Sequence, residues 1–247
     1  MSEQTLTSPP HNETPRTGWI APVLDILTVL IPLAVIAFAG VILGGSASGG
    51  ASLFGSLTIN LAYLVAIVIG GWVLRRRGSG WTKIGLGRPD SWGKTILMAL
   101  GTMAAGAAVV LGVQFIALNL PGAEVAPVDL TRFNPLAGNV PMLLYGVFAA
   151  WTTIAFGEEM FYRAFLITKL QEVFASSKSA TALAVAGSTV LFGAAHFAEG
   201  PLGFFVNGSF GLVQALVYLR TGKNLWVTVI AHALLNTLRF ILIFYGA

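Results

Sequence analysis

Seven apolar stretches of this chain are each long enough to cross a lipid bilayer, which takes about 20 residues of helix. They lie near Val23–Leu43, Leu53–Leu74, Thr95–Leu118, Val140–Phe156, Ala180–Phe197, Leu202–Leu219 and Leu225–Tyr245, and the fourth continues as helix through Leu170. Their backbone amides have no water to bond and must pair within each helix. The expected fold class is therefore all-α, a polytopic membrane helical bundle of about seven transmembrane helices. Composition agrees: 55% of residues are hydrophobic and 10% charged, where a soluble domain carries about 25% charged residues. The chain has no cysteine, which excludes disulfides, thiolate ligands and a cysteine nucleophile.

The net charge of +4 is a topology signal, not a nucleic-acid signal. Arg75, Arg76, Arg77, Lys83, Arg88 and Lys94 separate the second and third spans. Lys169 and Lys178 separate the fourth and fifth, and Arg220 and Lys223 the sixth and seventh. The alternate loops hold Glu124, Asp129 and Glu199 with only Arg132. The positive-inside rule then places the N-terminus in the cytoplasm. Three regions follow: a disordered polar tail over 1–18, spans one to three over 19–138 with a basic interfacial connection at 75–94, and a core over 139–247. Trp81 and Trp92 in that connection suit the headgroup level. Ser46-Ala47-Ser48 resembles a signal-peptidase site, but the apolar run before it is too long for a signal peptide.

Ionisable residues inside a span cost several kcal/mol unless paired or wetted, so they mark function. Eight of the ten carboxylates read as belonging to tails, loops or span ends, Asp25 and Glu199 among them. Glu158 and Glu159 alone fall inside an apolar helix. Glu159 and Arg163 are four apart, share a helix face and are expected to pair. Glu158 is turned about 100° from Glu159 and is expected to point away from that pair, free for chemistry. Phe192 and His196 share a face of the fifth span, and His232 and Asn236 a face of the seventh. With a turn near Ala175–Ser177, Glu158 and His196 lie about 25–30 Å along their helices from the same turn, level with each other. Phe192 is read as a packing residue that orients the His196 ring. Ala182, Ala184, Ala186, Gly187 and Gly193, and Gly203, Asn207 and Gly211, read as small-residue packing stripes, with Asn207 close enough to support the site.

The ordered signatures Glu158-Glu159-Met-Phe-Tyr-Arg163, Phe192-Gly-Ala-Ala-His196 and His232-Ala-Leu-Leu-Asn236 resemble the CAAX protease and bacteriocin-processing (Abi) family of intramembrane endopeptidases. The Thr221-Gly-Lys-Asn-Leu-Trp226 run is similar as well, and the likeness spans roughly Val140–Tyr245. The resemblance implies a protease of the bacterial plasma membrane acting on membrane proteins or peptides. It implies Glu158 as the base that activates water, His196 as the group that positions that water or a metal, and His232 with Asn236 as oxyanion stabilisers. Zinc held by Glu158, His196 and His232 with an open position and a metal-free glutamate mechanism both fit the residue types. Two other classes remain at this point: a proton-coupled transporter using Glu158 and the histidines as a relay, and a catalytically idle immunity or scaffold protein. The chain shows no inverted repeat of the kind transporters often carry.

Overall fold

The computed structural model describes residues 18–43, 53–122 and 124–246. The polar tail and the Ser46-Ala47-Ser48 sequence lie outside the described residues. Among the described residues, seven helices of 16 residues or more follow one another: α1 (Ile20–Leu43), α2 (Leu53–Arg76), α3 (Trp92–Leu118), α4 (Val140–Val173), α5 (Ala180–Ala195), α6 (Pro201–Arg220) and α7 (Leu225–Phe244). Six are long and apolar enough to span a bilayer; α5, at 16 residues, is shorter than the expected fifth span. At 1.5 Å per residue it measures about 24 Å.

The helix α4 is the axis of the bundle. Its residues from Gly157 to Ile167 are all buried, as expected of a helix that neighbours cover on every side. The helices α1, α2, α5, α6 and α7 all pack against it. Two stretches of α4 are wound wide, Ala150–Ile154 and Glu159–Leu166. In the first, the Ala155 amide donates to the Ala150 carbonyl, five residues back. Such π-bulges concentrate at functional sites, and here they flank Glu158.

Turns hold the helices in register. Asn224 caps α7 by accepting from the Trp226 amide at 3.2 Å, and Asn139 caps α4 through the Met142 amide at 3.2 Å. The expected tight turn at Glu199-Gly200-Pro201 is present: Gly200 takes φ +88°, a left-handed conformation that favours glycine, and Pro201 opens α6. The connection Trp81–Trp92 is docked on the α6–α7 turn. There Tyr218 Oη donates to the Ile84 carbonyl at 2.7 Å, and Trp226 Nε1 to the Gly87 carbonyl at 3.1 Å.

Two carboxylates read as peripheral prove to be buried, and both are anchors. Asp25 sits inside α1, where it takes Arg77 at 2.9 Å and the buried Lys169 of α4 at 3.2 Å. Glu199 is paired with Arg132, lies 3.5 Å from Arg239 Nη2, and accepts from Asn207 Nδ2 at 3.1 Å. The sequence places both at span ends; what it does not carry is that loops and neighbouring helices fold over those ends. Asp129 stays exposed. It accepts from the Thr131 amide and hydroxyl, and those bonds hold its carboxyl below the usual carboxylate range.

Candidate active site

The wide stretch of α4 changes how its two carboxylates point. Glu159 does pair with Arg163, Oε2 to Nε at 3.2 Å, and neither residue has exposed surface. The Arg163 guanidinium also lies over the Phe192 ring, 4.2 Å from its centroid. Glu158 does not turn away from this group as expected. Both carboxylates reach the same imidazole: His232 Nδ1 is 2.9 Å from Glu159 Oε1, and His232 Nε2 is 3.7 Å from Glu158 Oε2. Helical spacing of 100° per residue separates neighbours on α4, but a histidine arriving from α7 between them bridges the gap.

Hydrogen-bond chemistry assigns the ring nitrogens. An ionised carboxylate only accepts, so His232 donates from Nδ1 to Glu159 and its Nε2 is the nitrogen turned toward Glu158. A neutral His232 accepts at Nε2, and a protonated one donates there. At the α5 terminus, His196 Nδ1 lies 2.9 Å from the Phe192 carbonyl. A carbonyl cannot donate, so this nitrogen carries the proton and Nε2 keeps its lone pair. Phe192 also packs its ring 4.8 Å from the His196 ring. His196 is half-buried and lies within electrostatic range of Glu158.

Asn236 stands one turn beyond His232 on α7, half-buried, and among the described residues no hydrogen bond to its side chain is found. Asn207 is placed at Glu199, not at the two α4 carboxylates. Phe210 closes the other side of His232, ring to ring at 4.9 Å. Glu158 Oε2 is buried and has no hydrogen-bond partner. Two tyrosines adjoin Glu158 that the sequence reading passed over: Tyr63 of α2 and Tyr162 of α4. For Tyr63 the only sequence signal is a polar pair, Asn60 and Tyr63, three apart in an apolar run.

Among the described residues no three His, Asp or Glu side chains converge on a point where a metal ion could sit. Glu158 and His232 are neighbours, but His196 does not complete a ligand trio with them. The arrangement thus does not fit a zinc held by Glu158, His196 and His232. What it does offer is a buried carboxylate with a free oxygen, one imidazole with a free lone pair, one imidazole held between carboxylates, and an unengaged amide.

Residues 140–238 match the family described as Type II CAAX prenyl endopeptidase Rce1-like. The match takes in all three signatures, with α4, α5 and α6 entire and α7 as far as Leu238. No curated protein and no solved structure matches the chain.

Proposed function

We propose that this chain is an intramembrane endopeptidase that hydrolyses peptide bonds of membrane-associated proteins or peptides with water activated by Glu158. The observation that carries the reading is the meeting of α7 and α4 at one carboxylate: His232 Nε2 lies 3.7 Å from Glu158 Oε2, and His196, the residue after α5, is within electrostatic range of the same carboxylate. A structural clasp needs Glu159 and Arg163 only. It leaves unexplained a second buried carboxylate whose Oε2 has no hydrogen-bond partner.

The proton path follows from the donor inventory. Glu158 takes one proton from the attacking water, and His196 Nε2 accepts a hydrogen bond from the O–H that stays, which aims the water's lone pair at the scissile carbon. General-base help of this kind is worth about 10²–10⁴-fold. The oxyanion then needs donors. Asn236 supplies its amide, and His232, its Nδ1 held by Glu159, supplies a second from Nε2 when both ring nitrogens carry protons. Each such donor is worth about 10²–10³-fold in kcat. Glu158 returns its proton to the leaving amine.

The same reading places the chain in a cell membrane with its N-terminus inside, supported by the basic residues of alternate loops. The test is a peptidase assay in proteoliposomes against a cell-derived peptide library. Wild type releases new peptide termini and folded Glu158→Gln releases none. Cleavage by folded Glu158→Gln at the wild-type rate would overturn the reading.

A further inference from the structure

Tyr63 lies on α2, outside the matched segment, and is buried. Its side chain packs directly on Gly157: a Cβ added there would fall 2.7 Å from Tyr63 Cβ and 2.9 Å from Cγ. The Cβ is fixed to the α2 backbone and cannot swing aside. Glycine at 157 is thus what lets α2 approach α4, and the approach brings the Tyr63 phenol to Glu158, the next residue, and to Tyr162. Tyr162 is fixed from its far side. Its ring meets Phe192 edge-on at 5.0 Å, and its carbonyl accepts from Ser188 Oγ at 2.8 Å.

A phenol has one proton to give and can also accept, while an ionised carboxylate can only accept. An ionised Glu158 can be satisfied by a neighbouring phenol only as acceptor, so Tyr63 has the one proton such a contact needs. We propose that Tyr63 is a positioning residue of the active centre, whose phenol fixes the Glu158 carboxylate so that its unpartnered Oε2 faces the water. The proposal rests on the endopeptidase reading above. It makes α2, and not only the matched segment, part of the catalytic unit.

The first measurement needs no substrate. The Glu158 carboxylate stretch is the infrared band present in wild type and absent from Glu158→Gln. Tyr63→Phe, which removes only the hydroxyl, shifts that band. An unshifted band in folded Tyr63→Phe overturns the proposal. The second measurement uses the best-cleaved library peptide. Tyr63→Phe lowers kcat by about 10²-fold, the scale of a misaimed reacting group, with KM unchanged. Tyrosines at position 63 fluorinated to graded phenol acidity give graded kcat. Rates that ignore fluorination, or a Tyr63→Phe variant with wild-type kcat, overturn the positioning role while an inactive Glu158→Gln leaves the endopeptidase reading standing. If Glu158→Gln cleaves normally, the endopeptidase reading fails first and takes the proposal with it.

Discussion

Glu159 holds two partners with one carboxylate: Oε1 takes His232 and Oε2 takes Arg163. Its loss therefore does two different things. Arg163, fully buried, is stranded, and breaking such a pair costs about 3–5 kcal/mol. His232 loses the acceptor that sets its tautomer. Glu159→Gln is expected to lower the thermal midpoint in detergent sharply, and Arg163→Met to do the same. The double variant Glu159→Gln/Arg163→Met is expected to recover much of that stability, because no buried charge is left alone, yet to stay slow because the His232 anchor is weakened. A double variant no more stable than either single one would show that the pair does not act as a unit. The pairing of Glu159 with Arg163 was legible from their spacing alone. The bridging by His232 was not, since it depends on which way α7 faces. The parts played by Tyr63 and Tyr162 were not legible either, for a similar reason: a hydroxyl in an apolar run gives no hint of its partner.

At the scale of elements, the α5–α6 hairpin sets where His196 ends. The two helices approach so closely at Gly193 that an added Cβ would sit 2.7 Å from the Phe204 carbonyl oxygen, a backbone atom. Backbone cannot be displaced as a flexible side chain can. Gly193→Ala is expected to cost about 1–3 kcal/mol by overpacking, read as a lower thermal midpoint, and to move His196, three residues on. A wild-type midpoint would count against this account of the hairpin. The small-residue stripe through Gly193 was visible in the sequence as close packing. The short length of α5 was not visible, because His196 and Phe197 extend its apolar run past the point where the helix stops. Nor could spacing show that Glu199, three residues beyond His196, is the buried anchor for Arg132 and Arg239.

Across the whole molecule, charge separates the two ends of the bundle. One end gathers Arg75, Arg76, Lys83, Lys178, Arg220 and Lys223; the other carries Glu124 and Asp129. The chain has no native cysteine, so single-cysteine variants report without background. Ser177→Cys is expected to be labelled only from the cytoplasmic side and Asn119→Cys only from outside. The reverse pattern in sealed cells would invert the topology. The helical bundle was legible from run length. The burial of Lys169 against Asp25 of α1 was hidden, because a basic residue near a span end reads as loop.

The wide stretch Ala150–Ile154 has one more consequence. A helix that closes on the fifth residue instead of the fourth is storing a spare one. Removing a residue from a regular helical stretch swings everything beyond it by about 100°. Removing it from this stretch takes up slack, and both flanks keep their headings. Thr152 is exposed there. Deleting Thr152 is therefore expected to leave Glu158 facing His232 and the protein folded, whereas deleting Leu144, in the regular turns upstream, is expected to misalign the capped start of α4 and unfold it. Comparable losses of folded yield from both deletions would mean that the helix holds no such reserve.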